Sequence, residues 1–160
     1  MIKQSPLQVR SALSIMALAA STLVGIAVHE GYKDEAYIPV PGDVPTIDFG
    51  RTTGVKMGDK SNPVRGLQYL LDEIDSVYAQ GVRNCVTVPL YQYEFGAYVS
   101  LAYNVGVSAF CGSTLVKKLN SGDYAGACQE IDRWNKSGGK VYPGLVKRRA
   151  EERKICEGRA

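Results

Sequence analysis

Only one histidine occurs in the 160 residues, which argues against a His-rich metal centre. No Cys-x-x-Cys is present, and the gaps of 26, 17 and 28 residues between the four cysteines do not resemble zinc-ligand spacing. Net charge is only +3, too weak for a dedicated nucleic-acid binder, which needs a strong basic stripe. A mild positive charge does suit approach to an anionic polymer or a membrane surface. Internal repeats and low-complexity tracts are absent, and the 17 glycines and seven prolines follow no collagen-like period. Hydrophobic residues at 45% and charged residues at 22% are ordinary, so the chain is neither disordered nor polytopic. The length suits about one domain.

Charge is scarcest at the start. Residues 1–28 carry only Lys3 and Arg10, and Ser11 to Val28 is an 18-residue stretch with no charge. A membrane-spanning helix needs about 20 apolar residues, with a lower limit near 17. The stretch is just long enough but weakly apolar, since Ala, Ser, Thr and Gly fill ten of its 18 positions. Three readings stand: a cleaved signal peptide with Ala17-Leu18-Ala19 as the small-x-small site, a permanent single-span anchor, or a marginal anchor that inserts and later leaves. All three imply export with the N-terminus held in the cytoplasm, because Lys and Arg stay inside.

Cys85, Cys111, Cys128 and Cys156 all follow this leader. An even count in an exported chain reads as disulfides. Three pairings are open and spacing does not choose among them; Cys85–Cys111 with Cys128–Cys156 is the preferred set.

After the leader, a helix ending near Glu35 is expected to give way to a small irregular sheet. Pro39, Pro41 and Pro45 exclude a helix interior there, Gly42-Asp43 signals a turn, and Thr46 to Phe49 reads as a short strand. Thr46 and Asp48 should share one face of that strand. Asn62-Pro63 is a helix start, followed by Val64, Leu67, Leu70, Leu71, Ile74 and Val77 at helical spacing. Pro89 opens a second helix up to Asn104 and Gly106, and Ser113 can cap a third that stops at Asn120–Asp123. Tyr124–Trp134 and Leu145–Cys156 complete the set, with Ser137-Gly138-Gly139 as a loop. The body is thus α+β: a small N-terminal sheet, then a mainly helical lobe.

The one dense cluster of reactive side chains directly follows the leader: His29, Glu30, Asp34, Glu35, Asp43, Thr46 and Asp48. A carboxyl where an apolar helix meets solvent is a candidate general acid, because desolvation favours its protonated form. Glu30 has that position. A second carboxylate in a wetter turn stays ionised, which fits Asp43, and a hydroxyl such as that of Thr46 can help hold a water. Two carboxyls in such contrasting settings are the machinery of glycoside hydrolysis. By themselves these residues also fit solvated charges on a loop.

The residue order adds to this. Glu30-Gly31, Tyr37, Asp43, Thr46-Ile47 and Phe49-Gly50 are followed by Tyr91 to Phe95, Leu101 to Gly106, Cys111 to Leu115, Lys118 to Tyr124, Arg133-Trp134, Gly138 to Val141 and Gly144 to Arg149. In this order the chain resembles phage lysozymes of the T-even type, glycoside hydrolase family 24, over nearly all of residues 29–156. The resemblance implies a lysozyme-like α+β fold and hydrolysis of the MurNAc–GlcNAc bond of peptidoglycan, with no metal or cofactor. Glu30 becomes the general acid, Asp43 the residue that directs water, and Thr46 its helper. One departure matters: the family's commonest spacing puts the second carboxylate near Pro39, whereas Asp43 lies thirteen residues after Glu30 and three before Thr46. Asp48 stands where a small residue is usual, so Asp43 and Asp48 both remain candidates, with turn placement favouring Asp43.

The leader resembles that of signal-anchor-release endolysins in this family. The division that follows is residues 1–28 as an anchor and 29–160 as a lysozyme-like catalytic domain. It implies inactive enzyme tethered in the host inner membrane through residues 11–28, then active enzyme, expected as a monomer, in the periplasm. Some relatives hide a cysteine in the anchor; none lies in residues 1–28 here. On release, part of 11–28 should pack as a helix on the body and set the position of Glu30. Tyr103 and Asn104 are expected to line the sugar groove. Arg148, in a basic run read as a solvated helix face, could reach the carboxylates of peptidoglycan stem peptides. His29 either tunes Glu30 or is a satisfied neighbour, and Trp134 is expected in the core. A lytic transglycosylase and a non-catalytic wall-binding module are the rival readings.

Overall fold

The computed structural model describes residues 9–159. Residues 11–28 do not form one helix. Ser11 makes an antiparallel bridge to Leu90, with both backbone hydrogen bonds at 2.8 and 3.0 Å. A single 3-10 turn, Leu13–Ile15, follows, and then helix α1, Ala20–Glu30. Leu13, Met16 and Ile26 are buried in the same core as the body. Full burial of a side chain such as Ile26 contributes about 1.5–3 kcal/mol, so this segment is part of the fold in this conformation. No helix among the described residues is long and apolar enough to cross a membrane.

The helix predicted to run to Glu35 ends five residues earlier. Gly31 adopts φ +71°, a left-handed conformation that glycine tolerates and that turns the chain out of α1. The next residues are extended: β1, Lys33–Tyr37, pairs antiparallel with β2, Thr46–Asp48. Tyr37 faces Thr46 and Lys33 faces Asp48, with an irregularity between them. Residues 38–45, with their three prolines, form the hairpin connection.

The rest is helical. Asn62 caps α2, Pro63–Glu73, by accepting the Arg65 amide at 3.0 Å. The chain then widens into a π-helical stretch, Ile74–Ala79, and continues as α3, Gln80–Cys85. The extra residue per turn breaks the 3.6-residue stripe: Ile74 is buried, while Val77, expected inside, is exposed; Val64, also expected inside, is exposed in the first turn of α2. Helix α4, Gln92–Val105, is the axis of the body, burying Phe95, Ala97, Tyr98, Val99, Leu101 and Ala102. It starts three residues after Pro89, where the Glu94 carboxylate accepts the Tyr91 amide. A short α5, Val107–Cys111, was not foreseen. Ser113 caps α6, Thr114–Asn120, and Asp123 caps α7, Tyr124–Glu130, as the polar residues before each apolar run suggest. A 3-10 turn, Ile131–Arg133, and a two-residue hairpin, β3 Lys136–Ser137 with β4 Lys140–Val141, lead to α8, Pro143–Cys156, which packs along α4. Trp134 is partly buried against the main core.

Disulfides join Cys85 at the end of α3 to Cys111 at the end of α5, and Cys128 in α7 to Cys156 at the end of α8. Each closes a loop of nearly thirty residues, worth on the order of 3 kcal/mol in the chain-entropy account.

Candidate active site

Glu30 is the last residue of α1, and its position depends on how α1 is seated. Thr22 lies against Gly96 of α4, where a Cβ would collide with the threonine hydroxyl, so the missing side chain lets the two helices approach. Ile26 and Ala27 anchor the same face. At the C-terminal end the Glu30 side chain is 27% exposed, and its Oε1 accepts from Arg148 Nη1 of α8 at 3.4 Å. His29, one residue earlier, points instead to Glu151, 3.4 Å away, so it is a satisfied neighbour.

Behind Glu30 stands a buried charge network. Arg148 Nε donates to Glu152 Oε1 at 3.3 Å. Arg149 Nη2 donates to the same oxygen at 3.1 Å, and Ser100 Oγ donates to it at 2.7 Å. Arg149 Nη1 donates to Asn104 Oδ1 at 3.0 Å. Burial pushes the Arg149 guanidinium below its usual pKa, while Glu152 beside it pulls the other way. The reading of this basic run as a solvated face is corrected here: Arg148 and Arg149 are 7% and 1% exposed. Arg148 is held in the fold as the partner of Glu30. Glu152 lies i+4 from Arg148 and i+3 from Arg149, the spacing that pairs charges on a helix, but that spacing is the same on a solvated face and does not announce burial.

Tyr103 meets Tyr78 of the π-helical stretch edge to face, ring centres 4.9 Å apart. Burial raises both phenols above their ordinary pKa, and the charges of Glu30 and Glu73 add to it, so both stay protonated and neutral. Asn104 is exposed apart from its bond to Arg149.

The remaining candidates sit on the hairpin. Asp43 is exposed in the turn, where its amide donates to Val40 O at 3.0 Å and its Oδ1 accepts the Val44 amide at 2.9 Å. Thr46 is buried at the start of β2, and its hydroxyl donates to Val44 O at 3.2 Å. No hydrogen bond links Glu30 to Asp43 or Thr46 among the described residues. Asp48 is a different case. It is 2% exposed, its Oδ2 accepts from Arg51 Nε at 3.1 Å, and its other oxygen is pressed against the α2 backbone at Gly66. Its backbone is left-handed, φ +60°, which explains why a small residue suits this position. Asp48 is thus a buried ion-pair partner, where Asp43 is exposed in its turn. Among the described residues no cluster of His, Cys, Asp and Glu is arranged to hold a metal ion.

A helix ending in a part-exposed glutamate, a small hairpin next in the chain, and a helical lobe that supplies the arginine together define a lysozyme-like α+β protein. The family model for phage lysozyme matches residues 27–152, and the chain belongs to the phage lysozyme family. An endolysin of Bacillus phage B103 is 40% identical over 132 residues, 81% of this chain and 50% of that protein, so the chain spans about half the length of that relative. A SAR-endolysin of Enterobacteria phage P21 is 34% identical over 143 residues, covering 88% of this chain and 87% of the relative. Among solved structures, the endolysin from Escherichia coli O157:H7 phage FAHEc1 superposes with a TM-score of 0.78 at 35% identity, over 92% of this chain and 96% of that one.

Proposed function

We propose that this protein is an endolysin that hydrolyses the β-1,4 bond between MurNAc and GlcNAc in bacterial peptidoglycan. The observation that carries the reading is Glu30: a part-exposed carboxyl at a helix end, tied to a nearly buried arginine by one long contact. Glu30 gives its proton to the bridging oxygen as the leaving sugar departs. Asp43, in an exposed turn, orients a water on the opposite side, and Thr46 supports it. Inverting hydrolysis needs carboxyls about 6.5–9.5 Å apart, with room for that water, and the absence of a direct Glu30–Asp43 bond is compatible with such a gap. Tyr103 and Asn104, beside the Glu30 end of α4, are assigned to the sugar groove. Glu30→Gln should lower lysis of purified walls by about 10²–10⁴-fold, the usual value of a general acid. Undiminished turbidity clearing by that variant would overturn the assignment. Mass spectrometry of the products separates hydrolysis, which leaves reducing MurNAc ends, from transglycosylation, which leaves anhydro sugars.

The second part of the proposal is that residues 11–28 tether an inactive form in the host inner membrane before release into the periplasm. The name and similarity of the P21 relative support it, together with the charge-free 18-residue stretch. In this conformation the stretch is a strap followed by most of the helix Ala20–Glu30, so a membrane-spanning state would have to differ from it. Gly25 offers a test, because a Cβ there meets nothing within 4 Å in the folded state. Gly25→Leu should therefore hold the chain in the membrane and delay lysis without harming the released fold. Wild-type lysis timing in that variant would count against the tether.

A further inference from the structure

Arg10 occupies a socket formed by Glu94, Tyr91 and Tyr124. Its Nη2 and Nε donate to the two oxygens of Glu94 at 2.8 and 3.1 Å. Its guanidinium lies 3.6 Å from the Tyr124 ring centre and 4.4 Å from that of Tyr91. The Glu94 side chain is only 3% exposed, and one of its oxygens also caps α4 through the Tyr91 amide. Tyr124 is itself held by its hydroxyl, which donates to Pro89 O at 2.9 Å. A planar fork clamped on a carboxylate between two aromatic faces is a site specific for arginine, where a lysine ammonium would keep the charge but lose the two-point bond and the stacking.

Arg10 is also the last charge before the charge-free Ser11–Val28 stretch. With that stretch across a bilayer, Arg10 stays on the cytoplasmic side, about 27 Å from the body along a helix rising 1.5 Å per residue. The buried Glu94 then faces its aromatic walls with no guanidinium. We propose that the Glu94–Tyr91–Tyr124 socket is a latch that reads Arg10 only after the leader has left the membrane, and so draws the chain towards its released form. This rests on the tether reading above. An interaction present in one of two states shifts the equilibrium towards that state by its own free energy. Around the latch, Arg83 Nη2 donates to Met16 O at 2.9 Å and Gln92 Nε2 donates to Ala17 O at 2.9 Å, so body side chains fasten the strap along its length.

The test is fractionation of cells expressing the full chain, comparing wild type with Glu94→Gln, Arg10→Lys and the double variant. Arg10→Lys preserves the positive flank that sets topology and removes only the fork, and Glu94→Gln leaves the leader untouched. Each should raise the membrane-to-periplasm ratio at least threefold, and the double variant no further than the stronger single. Removing a positive flank as such would act the other way and ease release. If the wild type divides between the fractions and both single variants match it, the latch is wrong while the tether stands. If the wild type never appears in the membrane fraction, the tether reading fails and takes the latch with it. Should Glu94→Gln not fold, Arg10→Lys decides alone, since it alters a side chain that is 32% exposed.

Discussion

The N-terminal segment is held to the body by an ion pair at each end, and the two are built differently. At Arg10 every feature serves holding: two short hydrogen bonds, two aromatic walls and a carboxylate almost fully out of water. At Glu30 the contact is a single one of 3.4 Å, the carboxyl is 27% exposed, and Arg148 keeps its Nη2 buried without a partner. A carboxyl that must give and regain a proton cannot be locked in a matched bidentate pair, because such a pair holds it ionised. The difference teaches that the far end of the leader is spent on stability, and the near end gives some of it up to chemistry.

The comparison breaks most sharply if the two ends are cut in turn. Glu30→Gln should leave the melting temperature near or slightly above that of wild type while lysis falls by orders of magnitude, because a site residue is optimised for reaction and not for stability. Arg10→Ala should do the reverse. It strands a buried carboxylate, which costs about 2 kcal/mol after allowing for the exposed half of the pair, or about 4–8 °C for a chain of this size. Its lytic activity per folded molecule should stay close to wild type. Calorimetry beside turbidimetry reads both, and an Arg10→Ala protein that melts like wild type would erase the distinction between the ends.

The hairpin contains the same contrast on a smaller scale. Asp43 is exposed and bonded only within its own turn; Asp48 is buried and holds Arg51, which in turn lies 4.2 Å over the Tyr69 ring. Asp43→Asn should lower lysis by about 10²-fold, the lower range for an acid–base group, with little change in melting. Asp48→Asn should lower the melting temperature by a few degrees, about 1–2 kcal/mol for a weakened buried pair, and keep the activity of the folded fraction. The opposite pattern would give the second catalytic role to Asp48.

These contrasts also mark where sequence reasoning ran out. Caps are local, so Asn62 and Ser113 could be read directly from the residues that follow them, while Asp123, read as part of a helix stop, caps the next helix. Glu30 was singled out because it directly follows the charge-free stretch, but the helix end there was placed five residues late, since the stop depends on the left-handed turn at Gly31. What was not legible depends on partners distant in the chain. Arg148 looks solvated until Glu30, 118 residues away, is folded against it, and Arg10 looks like a membrane flank until Glu94 arrives from 84 residues away. The π-helical stretch at Ile74–Ala79 was hidden for a different reason: it changes the period itself, so a regular stripe placed Val77 inside when it is outside.

A pair confined to the body completes the comparison, because it touches neither the leader nor the hairpin. Glu130 sits between Lys118 at 2.7 Å and Arg133 at 3.1 Å. The hydrogen bond from Lys118 is the main reason its carboxyl titrates below the ordinary value of 4.5, with burial opposing. A carboxyl whose pKa is lower folded than unfolded adds stability above the unfolded value and loses it as pH falls through the folded one. Glu130→Gln should therefore melt slightly below wild type at pH 7, by about 1–2 °C, the scale of a pair worth about 0.5 kcal/mol. That gap should narrow below about pH 4.5 and close once the folded carboxyl is protonated. High salt should shrink it as well, since the Lys118 and Arg133 side chains are 37% and 73% exposed. Lysis and membrane partition should not move. A Glu130→Gln variant that changed either would mean that charge is coupled across the whole molecule, and the division between a holding end and a working end would no longer follow from local geometry.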